Sequence, residues 1–207
     1  MFPCDNSNIT IGHCKAIVLS SAMENNAKIY FVRHGQTDSN ASGIIYNGSD
    51  VDAMGLNDKG REQARIASSQ LFNIQFDYAF TGTHFRHTET ARIILGERNI
   101  DIQIDARLNE RDFGEFKGMK YKPLEQAEFD IRGFFTWGDH QIWKFAETMQ
   151  DCEDRIHGFI NEIKTKYPGK NILAICSGGS GVHAKSFVYG RSNDYYLHNC
   201  EIFEIDN

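Results

Sequence analysis

The chain reads IYFVRHGQT over residues 29–37, and this stretch decides the fold. Its first four residues form an uninterrupted apolar run, which is typical of a strand that is buried on both faces of a sheet. The run ends abruptly at Arg33-His34-Gly35, where a cation, an imidazole and a glycine follow one another. A second stretch, NILAICSGG over residues 171–179, has the same plan of a buried strand followed by a polar, glycine-rich turn. Each stretch predicts a buried strand with polar groups at its carboxyl end.

Strand and helix patterns alternate through the rest of the chain. Strands are predicted at residues 29–32, 76–80, 100–104, 171–176 and 201–205. Strands separated by helices predict an α/β fold with three layers, α/β/α, around a mostly parallel central sheet.

Two helices have the clearest patterns. Asn57 is a candidate N-cap for a helix whose apolar residues Ala64, Ile66, Ala67 and Leu71 are expected on one face. Residues 148–166 predict a longer amphipathic helix. Its apolar side is predicted to contain Cys152, Ile156, Phe159, Ile160 and Ile163.

Two segments do not follow the alternation. Residues 108–145 are irregular and rich in aromatic side chains, and they predict a small inserted cap. Residues 1–27 are interpreted as an N-terminal extension, which leaves residues 28–207 as one domain.

Composition restricts the classes of partner. The 207-residue chain has a formal net charge of −6, and general nucleic-acid binding needs a basic surface, so no nucleic-acid partner is expected. No run of 18 apolar residues occurs, so no membrane association is predicted. The five cysteines are widely spaced and contain no CxxC pair, which predicts free, buried thiols in a cytoplasmic protein and no metal site.

Three predicted strands end in polar loops, and ligands of α/β sheets bind at such carboxyl ends. Arg33 and His34 follow the first strand, Arg86 follows the second, and Ser177-Gly178-Gly179 follows the strand at 171–176. Phosphoryl transfer needs a nucleophile, cationic donors for the oxygens and an acid for the leaving group. His34 is the candidate nucleophile, the two arginines are candidate clamps, and Glu110 is the candidate acid.

These residues occur in an ordered set of motifs that resembles the histidine phosphatase superfamily, in its phosphoglycerate mutase-like branch. The resemblance covers roughly residues 28–207. The matching positions are Arg33, His34, Gly35, Thr37 and Asn40, then Leu56, Gly60, Gln63 and Ala64, then Arg86, Thr90 and Ala91, then Leu108, Glu110, Gly114 and Gly118, with Glu147, Arg155 and Asn199 further on.

The resemblance implies a role for each site residue. His34 is expected to accept the phosphoryl group and Glu110 to donate the proton. The expected substrate-binding residues are Arg33, Gly35, Thr37, Asn40, Arg86, Ser177 and Gly178. No metal or other cofactor is expected. The expected partner is a small phosphorylated metabolite or inorganic phosphate, and the resemblance is compatible with a homodimer.

The chain departs from the family pattern at Ser177, where a second histidine is expected. Three explanations compete: a weakened or inactive relative that binds phosphorylated ligands, an engineered substitution, or compensation by another group. His183 in the following helix is a candidate for that compensation. A second departure is Thr81-Gly82-Thr83-His84, where the family has Ser-Ser-Pro-Leu. For His84 and His87 the structural interpretation is favoured over a place at the pocket entrance.

The sequence therefore favours a phosphatase that hydrolyses a small phosphorylated metabolite through a phosphohistidine at His34. A mutase is less favoured, because residues 108–145 are short for the larger cap associated with glycolytic mutases. The alternative is a catalytically silent relative that binds a phosphorylated ligand.

Overall fold

A computed structural model of the protein describes residues 26–45, 55–120, 147–192 and 195–206. The strands are β1 (Lys28–Arg33), β2 (Tyr78–Thr81), β3 (Ile102–Ile104), β4 (Asn171–Cys176) and β5 (Ile202–Ile205). They form one sheet in the order β3-β2-β4-β1-β5. β1 and β2 run parallel to β4, β3 runs parallel to β2, and β5 pairs with β1 in the antiparallel direction. The predicted mostly parallel sheet is confirmed.

Helices connect the strands. They are α1 (Asp38–Ser42), α2 (Asp58–Gln70), α3 (Phe85–Leu95), α4 (Met149–Lys166) and α5 (Gly178–Tyr189), with 3₁₀ turns at Ala106–Leu108 and Gly114–Phe116. Of the helices in the described part of the chain, none is long and apolar enough to cross a membrane.

The side chains of β1 alternate between two buried clusters. Ile29 and Phe31 belong to the cluster formed with α4 and α5. Tyr30 and Val32 belong to the cluster formed with α2 and α3. Helices therefore cover both faces of the sheet, and the three-layer α/β/α architecture is confirmed.

Helix α2 begins where the sequence predicts, but fewer of its apolar residues are buried than the sequence predicts. The side chain of Asn57 caps its first turn. Ala64, Ala67 and Leu71 are buried, whereas Ile66 is 53% exposed, so the prediction that Ile66 shares their face is wrong. Positions three and four apart share one face of a helix, but Ile66 is two residues from Ala64 and points elsewhere.

Helix α4 agrees with its prediction. Thr148 and Asp151 form a capping box at its N-terminus, which satisfies backbone N–H groups that would otherwise lack partners. The five apolar residues predicted for its inner face are all buried. The 3.6-residue period of the apolar residues was sufficient to predict the buried face of α4, because that whole face packs against the sheet.

The described residues contain only the beginning of the predicted cap. Leu108 is buried, and Lys120 forms an isolated antiparallel bridge with Ile44. The remainder of the cap prediction, residues 121–145, lies outside the described residues. The predicted N-terminal extension also lies outside them, except for Asn26 and Ala27.

Three of the cysteines confirm the thiol prediction. Cys152, Cys176 and Cys200 are free and buried. Burial raises the pKa of all three thiols, and that of Cys200 rises to about 12. Thiols in such surroundings stay protonated and unreactive. Cys4 and Cys14 lie outside the described residues.

We predict that Phe159→Ala strongly destabilises the fold. Phe159 is fully buried, and its ring lies edge-on to Phe31 and Phe80 at centroid distances of 6.1 and 5.7 Å. Removing such a ring leaves a cavity and costs about 3–5 kcal/mol, measured by urea unfolding. Phe72→Ala is the matched control, because Phe72 is 75% exposed and its loss should cost about 0.5 kcal/mol or less. Similar losses for the two variants would contradict the assignment of the core.

Candidate active site

His34 follows β1 at the carboxyl edge of the sheet. Its backbone N–H donates to the carbonyl of Cys176 at 2.9 Å, which continues the pairing of β1 with β4. Its side chain is buried, and Nδ1 lies 2.8 Å from the carbonyl oxygen of Gly35. A carbonyl only accepts hydrogen bonds, so Nδ1 carries the proton. Nε2 therefore keeps its lone pair, as a nucleophile requires.

Burial and two arginines keep this imidazole neutral. Burial is the largest cause that holds the pKa of His34 well below its ordinary value, and the charges of Arg86 and Arg33 lower it further. The hydrogen bond to Gly35 acts in the opposite direction. At neutral pH the side chain is thus an unprotonated base beside two cations.

Arg33 closes one side of the site. It is 9% exposed, and Nη1 donates to the carbonyl of Leu197 at 2.5 Å and to the phenol oxygen of Tyr196 at 3.3 Å. Its Nε is buried and has no hydrogen-bond partner among the residues that the structure describes. A buried guanidinium N–H without a partner is costly, and a phosphate oxygen is the acceptor that suits it.

Helix α3 carries Arg86, whose charge also acts on His34. Arg86 is 4% exposed, and its charge is the second cause, after burial, that lowers the pKa values of both His34 and His87. The hydroxyl of Thr90 donates to the backbone carbonyl of Arg86 at 2.7 Å and accepts the N–H of Gly35 at 3.1 Å. The loop of His34 and the helix of Arg86 are therefore joined through one side chain.

Gly35 is where the His34 loop passes closest to α2. A Cβ at this position would lie 2.5 Å from the backbone oxygen of Gly60, so a larger residue would require the backbone to move. Its carbonyl also accepts the hydrogen bond from Nδ1–H of His34. Gly35 thus fixes both the path of the loop and the tautomer of the imidazole.

Thr37 and Asn40 brace the loop that follows. The hydroxyl of Thr37 accepts the N–H of Asn40 at 3.3 Å, and Oδ1 of Asn40 accepts the N–H of Thr37 at 3.1 Å. Asn199 donates from Nδ2 to the carbonyl of His34 at 2.9 Å and to Oδ1 of Asn40 at 3.4 Å. Contact of Thr37 and Asn40 with substrate stays a prediction, while their bracing of the His34 loop is visible in these bonds.

Glu110 meets the turn after β4. Its Oε1 accepts the backbone N–H groups of Gly179 and Arg111, each at 2.9 Å. A Cβ on Gly178 would lie 3.3 Å from Cζ of Arg33 and 3.6 Å from Oε2 of Glu110. The carboxyl group and the guanidinium therefore meet over Gly178, so an acid lies next to a phosphate clamp.

Arg155 of α4 supports the backbone of Glu110. Its Nη1 donates to the carbonyl of Asn109 at 3.1 Å, and its Nη2 donates to that of Glu110 at 3.3 Å. Glu147 pairs with the same guanidinium through its carboxylate. A guanidinium with five donors can hold several acceptors at once, and here it fixes the segment that carries the candidate acid.

The end of β4 holds a contact that the sequence did not predict. Ser177 and His87 are both fully buried, and Oγ of Ser177 lies 2.8 Å from Nε2 of His87. The rings of His87 and His34 have a centroid distance of 5.3 Å and an interplanar angle of 44°. Burial, followed by the charge of Arg86 and then of His34, holds the pKa of His87 well below its ordinary value. In the sequence, the feature that could have pointed to His87 was its position directly after Arg86.

His183, the candidate for compensation, is buried within α5. Burial is the main cause that lowers its pKa to about 3; the charge of Arg111 lowers it further, and that of Glu153 acts in the opposite direction. Compensation by His183 stays a prediction, while the hydrogen bond to Oγ of Ser177 is made by His87.

Comparison with known proteins identifies the family. Residues 29–194 match the model of the histidine phosphatase superfamily, branch 1. The chain belongs to the histidine phosphatase superfamily.

Relatives in this superfamily include both phosphatases and mutases. The chain is 28% identical to a putative phosphoserine phosphatase 2 of Hydrogenobacter thermophilus, over 76% of this chain and 75% of the relative. It is 31% identical to a 2,3-bisphosphoglycerate-dependent phosphoglycerate mutase of Rhizobium etli, over 73% of this chain and 75% of the relative. The solved structure of Bacillus stearothermophilus YhfR superposes with a TM-score of 0.75 at 22% identity, over 86% of this chain and 90% of that one, which supports the fold.

In this member of the superfamily, a cavity of about 290 Å³ opens beside Glu110. Its polar lining includes His84, which agrees with the alternative that placed His84 at the pocket entrance. Lys117 and Asp112 line it as an ion pair with an N–O distance of 3.2 Å. Among the described residues that line it, Glu110 is present but His34, Arg33 and Arg86 are not, so the cavity lies on the Glu110 side of the site.

The described residues contain no group of three or more His, Cys, Asp or Glu side chains arranged to hold a metal ion. Positive charge beside His34 comes from Arg86 and Arg33.

We predict that Gly179→Ala lowers phosphatase activity by about 10²-fold or more, because it displaces the candidate acid. A Cβ at this position would lie 2.4 Å from Oε1 of Glu110, so the carboxyl group must move. Gly158→Ala is the matched control, since no heavy atom lies within 4 Å of the added Cβ and alanine favours the helix by about 0.5–1 kcal/mol. Activity would be measured on an aryl phosphate, with thermal unfolding as the check on folding. Equal activities in the two variants would count against the role of Gly179 in holding Glu110.

Proposed function

We propose that this protein is a phosphatase that hydrolyses a small phosphorylated metabolite through a phosphohistidine at His34. The observation that carries the proposal is the 2.8 Å distance from Nδ1 of His34 to the carbonyl oxygen of Gly35, which assigns the proton to Nδ1. Its Nδ1–H is committed to the carbonyl of Gly35, so the lone pair of Nε2 remains available in a site with two buried arginines. Neutral imidazole is nucleophilic, and the guanidinium groups suit the oxygens of a phosphoryl group.

The proposed reaction has two steps. In the first, Nε2 of His34 forms a bond to phosphorus, the bond from phosphorus to the leaving oxygen breaks, and Glu110 gives its proton to that oxygen. In the second, water attacks phosphorus, the N–P bond breaks, Glu110 takes a proton from the water, and inorganic phosphate leaves. Arg33 and Arg86 stabilise the negative charge of the phosphoryl oxygens in both steps.

Ser177 supports a second candidate function. A neutral hydroxyl stands at the end of β4 where a second histidine is expected, and it has no cationic charge to offer a phosphoryl group. On this alternative the protein is a catalytically silent relative that binds a phosphorylated ligand. The buried Nε of Arg33 favours phosphate binding under either function.

Trapping the phosphoenzyme separates the two functions. The protein would be mixed with an aryl phosphate and quenched in base, where phosphohistidine survives, and the adduct would be identified by ³¹P NMR and mass spectrometry. The phosphatase proposal expects an adduct at His34, turnover of the substrate, and loss of both in His34→Ala. Binding of inorganic phosphate without adduct or turnover would establish the silent relative instead.

We place the proposed enzyme in the cytoplasm. The supporting feature is the set of three free, buried thiols at Cys152, Cys176 and Cys200, which suits a reducing compartment.

We predict that His34 stays neutral as the pH falls through 6.5. Burial and the two arginines lower its pKa, so the folded protein takes up the proton only at a pH below the ordinary value. In the pH profile of kcat/KM, the decrease that is caused by protonation of His34 should therefore lie below pH 6.5. ¹⁵N NMR of the histidine rings would measure its pKa directly.

The same chain in concentrated urea is the reference for this titration, because there each imidazole is in water. His34→Ala assigns the resonance. A His34 pKa equal to the value in urea would contradict the lowered pKa and, with it, the neutral nucleophile.

A further inference from the structure

The end of β4 places two buried polar side chains next to the candidate nucleophile. His87 and Ser177 are both fully buried, and their polar atoms lie 2.8 Å apart. The ring of His87 also lies close to that of His34, at a centroid distance of 5.3 Å. The two imidazoles therefore share one compartment with the phosphate clamps.

The backbone at the end of β2 is shaped to admit the ring of His87. A Cβ on Gly82 would lie 2.3 Å from Nδ1 of His87, so any other residue there would displace the imidazole. The family pattern has a serine at position 82 and a histidine at position 177. Both positions are smaller in this chain, and both contact the same imidazole.

His87 occupies space that a larger side chain at position 177 would need. A histidine there, in the rotamer of the present serine, would place Cγ close to the present position of Oγ, which is 2.8 Å from Nε2 of His87. Non-bonded atoms pack best at about 3.5–4.0 Å, so the two rings would crowd each other in that rotamer. The imidazole of His87 thus lies where a ring attached at position 177 in that rotamer would extend.

We propose that His87 is a positioning residue that acts through Ser177: Nε2–H of His87 donates to Oγ of Ser177, whose own O–H donates to the phosphoryl group held beside His34. The pair would supply from α3 the imidazole that this chain lacks at the end of β4. This inference rests on the proposed phosphatase function and deepens it. A hydroxyl can accept one hydrogen bond and donate another, and such chains strengthen each of their bonds.

Binding of a phosphate dianion also favours this arrangement electrostatically. Burial and neighbouring cations keep His87 neutral in the free protein, so a nearby dianion would favour its protonation. The protonated ring can donate from Nε2 to Ser177. The charge would then be held in place behind the serine hydroxyl.

The decisive comparison is His87→Gln against His87→Leu. Both side chains fill much of the space, but only glutamine keeps an N–H group that can reach Ser177. We expect kcat on an aryl phosphate to fall about 10²- to 10³-fold in His87→Leu, the usual effect of losing one pre-organised donor, and clearly less in His87→Gln. Equal kcat for both variants and the original chain would overturn the proposal and leave His87 a packing residue.

A double-mutant cycle tests whether the serine is the intermediary. Ser177→Ala should lower kcat about as much as His87→Leu, and the double variant should be little worse than either one, because residues in one chain of bonds are not additive. Ser177→His should impair the chain while His87 is present, whereas His87→Ala with Ser177→His should recover much of the activity. Additive losses, or full activity of Ser177→His alone, would contradict the proposed pair.

Measuring the affinity for orthovanadate, a mimic of the phosphoryl group, tests the proposal without requiring turnover. If the original chain shows no hydrolysis that depends on His34, the phosphatase proposal fails. The pair is then judged by vanadate binding in calorimetry, where His87→Leu should bind more weakly than His87→Gln. Equal vanadate affinities in these two variants would overturn the inference about His87 in that case as well.

Discussion

The parallel pairing of β1 with β4 is the constraint on which the site depends. Six residue pairs run in register from Lys28 with Asn171 to Arg33 with Cys176, and the N–H of His34 adds one more bond to the carbonyl of Cys176. Both strands are buried on both faces, so a slip of one residue would turn every side chain to the opposite cluster. The hydrophobic core therefore fixes which residue of the β4 turn lies beside His34. Hydrogen bonds from Thr90 and Asn199 then hold the His34 loop in that place.

The fold and half of the site were predictable because their signals are local. An apolar run followed by Arg33 and His34 identifies a strand and its functional end without knowledge of the partner strands. The contact of His87 with Ser177 joins residues 90 positions apart, and no periodicity along the chain encodes which side chain reaches across a sheet. The prediction for Ile66 was wrong for a related reason, because apolar character alone does not place a residue on the buried face of a helix. Residues 121–145, where the predicted cap continues, had no regular pattern from which to derive a fold.

The positive charge of the site is carried by arginines, whereas its imidazoles are kept neutral. Arg33 and Arg86 remain charged, and together with burial they hold the pKa values of His34 and, through Arg86, of His87 well below the ordinary value. The free site thus contains guanidinium charge beside neutral imidazoles. A phosphate dianion would be attracted by the first and attacked by the second, whereas a protonated His34 would lose the lone pair that attack requires. The same arginines that lower the pKa of His34 keep its lone pair available for the proposed attack.

The interpretation of Ser177 at the end of β4 changes once its contact with His87 is considered. Taken alone, Ser177 indicates a lost donor and a weakened enzyme. Yet Gly82 leaves room for the ring of His87, Ser177 binds that ring, and both belong to the compartment of His34. Helix α3 would then deliver a clamp and an imidazole from the consecutive residues Arg86 and His87, with Thr90 tying the same helix to the His34 loop. A phosphoryl site needs donors at fixed points in space, and the strand or helix from which each one comes is immaterial to the chemistry.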